Sequence, residues 1–492
     1  MTDVGWAQPP AESWQRLSPR MLLVHPVHEV VRQIPVIAGT LVLGTATGNP
    51  LLAVAVVGIT VAVGLARWFT TTYRVGPSDV QLRTGVLQRK VLSVPRNRIR
   101  SVSTDARLLH RLLGLTVLRV STGQEARGDA AFALDAVPTD QVGRLRALLL
   151  AESLAAEEDK PSAPGRVLAR WTPSWLRYSP LSFTGLAMIA AAVGVVYQVG
   201  VDTGVHESGL AQSWLDTARG LGAAAGIALG ATVLLLASVV LSVLQSLLTY
   251  GNLELRRDFE VLHLKYGLIR IREHTFDMRR LRGGTLREPL LVRLFGGARL
   301  DAVMTGVGGE GESSLLLPPC PKRTADEVLT GLIERPDAVT GPLRAHGPVA
   351  SRRRWTRAMA LPAAVAVALL VAPTLVASPP LWVWVLWVVL TGCCALLAFD
   401  RARSLGHRVG DGWLVARTGS LQRRRDCIDA SGIIGWTVRQ TWMQRRAGVA
   451  TLVAATAAGV KHYQVIDVPA ALAWSIVAEA SPWVADTAWM RR

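Results

Sequence analysis

The sequence predicts an α+β membrane protein with six transmembrane helices in three hairpins, each hairpin followed by a strand-rich module that ends in a helix. Three observations carry that prediction. A short stretch occurs at 82–90 (LRTGVLQRK), at 264–272 (LKYGLIRIR) and at 416–424 (ARTGSLQRR). In each copy 29 residues lead from the first glycine (Gly85, Gly267, Gly419) to a second one (Gly114, Gly296, Gly448), and an arginine stands three residues before the second (Arg111, Arg293, Arg445). Equal spacing in three places reads as one folding unit used three times. Finally, half of the 492 residues are hydrophobic, the mean hydropathy is +0.30, and the apolar residues gather into long runs between these stretches.

The elements follow in chain order. Residues 1–29 form a polar, cytosolic tail with no apolar core after a basic start, unlike a cleaved signal peptide. His25 and His28 are three apart, but no third ligand is near and Pro26 disturbs helical pairing, so a metal site is not expected. Residues 30–69 hold two apolar runs around a turn at Asn49-Pro50, each near the 20 or so helical residues that a bilayer core takes. Residues 71–150 form the first module. Alternation at 80–83 marks a strand, Gly85 a turn, and 86–91, 99–102, 117–120 and 131–137 further strands. Val142, Leu145, Leu148 and Leu149 then recur at helical spacing.

A charged, proline-containing linker at 151–179 precedes the second hairpin (180–249) and the second module (250–335). A second linker (336–357) carries the cluster Arg352-Arg353-Arg354-Trp355-Thr356-Arg357 into the third hairpin (358–399). The third module spans 400–482 and a tail 483–492.

Charge sets the topology. The inter-helix turns 44–50, 202–216 and 378–380 contain no Lys or Arg, whereas the opposite flanks hold Arg67, Arg74, Arg166, Arg170, Arg177, Arg256, Arg257, the 352–357 cluster, Arg401 and Arg403. The positive-inside bias therefore places both termini and all three modules in the cytoplasm, on a multi-pass protein of the cell membrane. The net charge of +18 points to a polyanionic partner. Because the cations hug the membrane ends, the anionic inner leaflet is expected and nucleic acid is not. Cys320, Cys393, Cys394 and Cys427 show neither a disulfide framework nor metal-ligand spacing.

The repeats resemble the bacterial pleckstrin-homology (PH) family of membrane proteins, the YdbT-like branch in particular, in tandem copies. The carrying residues are Arg83-Thr84-Gly85, Ile99, Arg111-Leu112-Leu113-Gly114 and Val137-Pro138 in the first copy. In the second they are Lys265-Tyr266-Gly267, Leu281, Arg293-Leu294-Phe295-Gly296 and Leu317-Pro318. In the third they are Arg417-Thr418-Gly419, Ile433, Arg445-Arg446-Ala447-Gly448 and Val468-Pro469. The third departs most, with Arg446-Ala447 in place of an apolar pair and added Trp413, Trp436 and Trp442. The resemblance implies that each module is a PH-like, partly open antiparallel barrel with a C-terminal helix. It implies no catalytic residue and no cofactor, and it makes a role in envelope stress or bacteriocin tolerance plausible.

The candidate surface for anionic lipid or a partner is the set of cations around each first glycine: Arg83, Arg89 and Lys90; Lys265, Arg270 and Arg272; Arg417, Arg423, Arg424 and Arg425. Cations at an anionic leaflet attract it by about 1 kcal/mol each. Arg111, Arg293 and Arg445 differ in being fixed in position, and are expected to hold a turn by bonding carbonyls. Asp135 and Asp467, near the end of a strand, are expected to cap helices. No phosphate loop or His-Glu helix pair is present, so an enzyme is not expected. A transporter would carry ionisable groups at mid-membrane. The apolar runs hold only Arg32 and Gln33, at an entry edge, which favours anchoring. The expected role is assembly with another membrane protein or with itself, or lipid interaction; a transporter or channel component is the alternative.

Overall fold

The structure, a computed structural model, describes residues 14–21, 58, 66, 68–76, 78–85, 89–96, 99, 101–121, 132–149, 165–181, 223–306, 314–375 and 379–485. In the first repeat β1 (Gln15–Arg16), β2 (Thr72–Val75), β3 (Asp79–Thr84) and β4 (Lys90–Pro95) form a four-stranded antiparallel sheet. Strand β5 (Ser101–Ala106), the short helix α1 (Leu108–Leu112), β6 (Leu115–Ser121), β7 (Phe132–Pro138) and helix α2 (Thr139–Leu149) follow. Alternation sends Val80 and Leu82 of β3, and Phe132 and Leu134 of β7, to one side. There they meet Val102, Leu115 and Leu118, and Val142, Leu145 and Leu149 of α2 close the core.

The second repeat brings β8 (Arg166–Arg170), α3 (Ala223–Tyr250), β9 (Glu254–Asp258), β10 (Val261–Tyr266), β11 (Ile271–Asp277), β12 (Leu281–Pro289), α4 (Leu290–Leu294), β13 (Gly297–Met304), β14 (Leu315–Pro321) and α5 (Lys322–Ile333). A short α6 (Pro336–Thr340) precedes the long helices α7 (Gly347–Leu375) and α8 (Leu381–Ser404). The third repeat is β15 (Gly406–Gly410), β16 (Trp413–Thr418), β17 (Gln422–Asp429), β18 (Ile433–Arg439), α9 (Trp442–Arg446), β19 (Val449–Thr456), β20 (His462–Pro469) and α10 (Ala473–Ala480). Its own core includes Leu414, Ile433, Leu452, Val465, Ile476 and Val477.

The hydrogen-bonded ladders do not stop where a repeat stops. One sheet runs β7-β6-β5-β11-β10-β9-β8, another β14-β13-β12-β17-β16-β15, and a third β18-β19-β20. Strand β5 of the first repeat thus pairs with β11 of the second, and β12 of the second with β17 of the third. Both junctions use one register. Arg272, five residues after Gly267, faces Asp105, twenty after Gly85. Arg424, five after Gly419, faces Arg287, twenty after Gly267. The chain divides into two compact units, Met1–Arg170 with Gly251–Arg280 and Trp171–Tyr250 with Leu281–Arg492. Strands β9–β11 lie in the first and β12–β14 in the second. The resemblance implies a partly open barrel for each repeat; in the structure, repeat-wise cores in the first and third repeats are joined to their neighbours by shared sheets. The reason is that an edge strand presents unpaired N–H and C=O groups, and like repeats offer one another like edges.

The recurring glycines have a conformational cause. Gly85, Gly267 and Gly419 have φ of 118°, 103° and 95° in the turns before β4, β11 and β17. Gly114, Gly296 and Gly448 have φ of 67°, 72° and 66° and end α1, α4 and α9 in the left-handed region. The carbonyl of each accepts from the first residue after a proline: Thr139 N (3.0 Å), Lys322 N (3.0 Å) and Ala470 N (2.9 Å). In the second repeat that proline is Pro321, not Pro318. The expected Leu317-Pro318 equivalence is corrected by the ladder, which sets Gly297 against Pro321 and leaves Pro318 inside β14.

Three described helical stretches are long and apolar enough to cross a membrane: Thr232–Tyr250, Gly347–Thr374 and Leu381–Ser404. Leu236, Val240, Leu370, Leu381 and Leu386 point outward from them, as apolar surroundings require. The first hairpin, the first helix of the second and His25 and His28 fall almost wholly outside the described residues. Buried Cys320 and Cys427 are packing residues; burial pushes both thiols up to about 12.

Candidate functional site

Most of the candidate cations are committed to the protein's own oxygen atoms. At the first junction Arg270 donates from Nε (2.6 Å) and Nη2 to the carboxylate of Asp105, and Arg272 opposes Asp105 in the ladder. Burial raises the Asp105 pKa, but the hydrogen bond and charge of Arg270 outweigh it and hold the carboxyl below its usual range. At the second junction Arg423 lies 2.6 Å from Asp400 and 3.8 Å from Glu288. Arg424 pairs with Asp426 (2.9 Å), and Arg425 donates to the carbonyls of Ala338 and Gly341. Arg417 donates to the carbonyls of Ser404 (2.9 Å) and Arg403 (3.2 Å) at the end of α8, and burial lowers its pKa. Arg83 lies 4.1 Å over the Trp14 ring and Lys265 lies 3.5 Å from Glu273. Arg89 and Lys90, at the head of β4, are exposed.

The fixed arginines reach out of their own turns. Arg111 donates to the carbonyl of Leu268 (2.9 Å), the residue after the next repeat's first glycine. Arg293 donates to Asp400 (2.8 Å) at the end of α8. Arg445 is exposed. Arg111 thus bonds a carbonyl outside its own turn, and Arg293 bonds a carboxylate in place of a carbonyl.

A second feature recurs in all three repeats. The short helix is fastened to residues that precede an apolar stretch of the same repeat. Arg20 donates to the carbonyl of Leu113 (3.2 Å), the Tyr178 hydroxyl to that of Phe295 (3.4 Å), and Arg353 to that of Met443 (2.7 Å). Ser179 donates in turn to the carbonyl of Ser242 within the apolar stretch of α3 (2.7 Å). Beside these anchors stand exposed apolar side chains: Leu108, Leu109 and Leu112; Leu294 and Phe295; Trp442 and Met443. Each repeat therefore places a small apolar rim beside these anchors.

Sequence reasoning missed the buried polar cluster of the third repeat. Asp467, fully buried, accepts from Gln444 Nε2 (2.8 Å) and lies 2.8 Å from Arg354 and 3.5 Å from Arg353. It clamps the foot of α7 to β20 and α9. The expected helix-capping role is therefore corrected: Asp467 and Asp135 lie within strands β20 and β7. Nearby, His407 Nδ1 stands 2.9 Å from His346 Nε2, and His346 Nδ1 stands 2.7 Å from the carbonyl of Ile466. Burial, then His346 and Arg344, push His407 down to about 4. Burial lowers His346 against its bond to Ile466. Folded His407 thus stays neutral where the unfolded side chain, near 6.5, takes up a proton. Stability is full above that value and is expected to fall as pH drops from 6.5 toward 4, by up to about 3 kcal/mol. Melting curves across this range check it, and His407→Asn should flatten the slope. Among the described residues no group of three or more His, Cys, Asp or Glu could hold a metal ion.

The bacterial PH domain family matches this chain at residues 31–153 and 360–478, the first and third repeats with most of the apolar runs that precede them. The departures at Arg446-Ala447 therefore do not remove the third repeat from the match, and the middle repeat lies outside both regions. A Bacillus subtilis (strain 168) protein described as UPF0699 transmembrane protein YdbT is 21% identical over 290 residues, which cover 55% of this chain and 57% of that protein. The chain thus matches a little over half of that relative's length. No solved structure matches it.

Proposed function

From the premise that this chain belongs to the bacterial PH-domain family, on its YdbT-like side, we propose that it is a non-enzymatic, multi-pass membrane protein that holds its β modules against the inner leaflet for assembly and lipid interaction. The proposed arrangement has six spans in three hairpins, both termini in the cytoplasm and PH-like modules on that side. The observation that carries the reading is the recurrent rim. Leu112, Phe295, Trp442 and Met443 are exposed on, or directly after, short helices bonded to the feet of the hairpins. Leucine, phenylalanine and tryptophan side chains at that level gain by entering the interface, and cations such as Arg445 and Arg446 beside them add attraction to anionic headgroups.

The test places a polarity-sensitive dye at Met443→Cys, in a chain with Cys393 and Cys394 replaced by alanine, in vesicles of phosphatidylglycerol and phosphatidylethanolamine. The dye is expected to emit as in an apolar medium and to be quenched by spin-labelled lipid. Emission as in water, with no lipid quenching, would sink the rim. The same dye at Thr437→Cys, outside the rim, serves as the aqueous reference.

A further inference from the structure

Four guanidinium groups meet one carboxylate where α7 begins and α8 ends. Arg353 and Arg354 are buried, and Asp467 is the carboxylate they share. Arg353 Nη1 also donates to the carbonyl of Met443 (2.7 Å). Nε and Nη2 of both arginines find no hydrogen-bond acceptor among the described residues, and buried donors in that state call for a further group. Arg357, one turn further along α7, and Arg401, in the last turn of α8, are exposed. Both lie close enough to Arg354 for their charges to act on it. Among the described residues neither is paired with a carboxylate: Asp400, beside Arg401, is taken by Arg293 (2.8 Å) and Arg423 (2.6 Å). Like charges gathered in this way repel one another, and an anion that joins them relieves the repulsion.

The same two helices supply an apolar surface next to this charge. They pack against each other, and Trp387 Nε1 of α8 donates to the Pro362 carbonyl of α7 (2.9 Å). Arg354, Arg357 and Leu361 are spaced by three and four residues and so line one face of α7. Leu361 is exposed, as are Leu396 and Phe399 of α8. Trp355, a residue type enriched at membrane–water boundaries, stands among the cations. A molecule bound here therefore meets guanidinium groups at one end and outward apolar side chains at the other. Arginine forks match phosphate oxygens, and four of them against one carboxylate exceed what a single phosphate balances.

We propose that the start of α7 and the end of α8 form a headgroup site for a phospholipid that carries two phosphates, as cardiolipin does. Arg357 and Arg401 donate to the phosphates, the enclosed Arg353 and Arg354 keep the site positive, and acyl chains lie along Leu361, Leu396 and Phe399. This deepens the reading of lipid interaction and rests on it, by naming one lipid class and one place.

The test titrates cardiolipin into the full chain in a nonionic detergent and follows bound lipid by native mass spectrometry and by melting temperature. Cardiolipin is expected to bind and to raise the melting temperature. Phosphatidylglycerol at equal phosphate is expected to bind at least about tenfold more weakly, and inorganic pyrophosphate not to bind. Arg357→Gln with Arg401→Gln is expected to weaken cardiolipin binding at least about tenfold, and each single substitution to give part of that loss. Both side chains are exposed and the Asp467 clamp is untouched, so an unchanged melting temperature without lipid confirms that the variants fold. Arg439→Gln with Lys461→Gln removes as much charge from exposed positions elsewhere in the third repeat and is expected to leave binding as it was. Equal weakening by the two double variants would overturn the site in favour of diffuse attraction. Pyrophosphate binding as tightly as cardiolipin would overturn the lipid, and phosphatidylglycerol doing so would overturn the paired phosphates. The dye at Met443→Cys reads the rim in vesicles without cardiolipin, so either claim can fail alone.

Discussion

Asp467→Ala is expected to destabilise the third repeat by about 3–5 kcal/mol, the usual consequence of stranding buried charge. Its carboxylate is fully buried between two guanidinium groups that are themselves buried, Arg353 at 9% and Arg354 at 7% exposure. Alanine leaves both cations without their counter-charge and Gln444 without its acceptor. The backbone adds to the loss, because φ at Asp467 is 59°, a region that alanine tolerates poorly. Asp467→Asn separates the two causes: asparagine tolerates that backbone and can still accept from Gln444, but it is uncharged. If the charge carries the clamp, Asn falls close to Ala. A loss below about 1 kcal/mol for Asn would assign the site to hydrogen bonding and conformation instead. Thermal melting in detergent reads the size of the effect. Proteolysis within 406–485 reads its place.

Gly283→Ala is expected to open the second junction at a cost of about 2–4 kcal/mol. A Cβ there would sit 1.9 Å from the carbonyl oxygen of Cys427 on β17, and φ is 135°. The obstacle is rigid backbone of the neighbouring strand, which cannot move without breaking the ladder from Gly283 to Pro289. The chain contains its own control. Gly435 lies sixteen residues after Gly419, as Gly283 does after Gly267, yet a Cβ at Gly435 would meet nothing within 4 Å. Gly435→Ala is therefore expected to change stability by no more than about 0.5 kcal/mol. Faster amide exchange along β12 and β17 in Gly283→Ala, absent in Gly435→Ala, would locate the break. Equal melting temperatures for the two variants would show that strand pairing at β12 contributes little.

These contrasts mark how far the residues could be read. The glycines at 85 and 114 and their repeats were legible because only glycine occupies their φ values cheaply. Alternation in 80–83 revealed β3 because a strand with one buried face must alternate. The destinations of Arg270, Arg423 and Arg111 were not legible. Asp105 lies 165 residues from Arg270 and Leu268 lies 157 residues from Arg111, and nothing local links them. The His346–His407 pair and the Asp467 clamp were hidden for the same reason. The sequence offers Pro318 in place of Pro321 because the three prolines of β14 look alike until the ladder gives each a position.

By itself, then, the order of amino acids decided the local and the periodic: greasy stretches of membrane length, a thrice-repeated β module, turns that demand glycine, and a family likeness. Those outcomes depend on backbone sterics and on the partition of side chains between water and oil, which act within a few turns or strands. The folded chain alone decided which strand edge meets which and which arginines are spent on internal carboxylates. Those outcomes depend on hydrogen bonding and charge pairing between groups brought together from distant parts of the chain, where several alike edges compete and only three-dimensional proximity chooses between them.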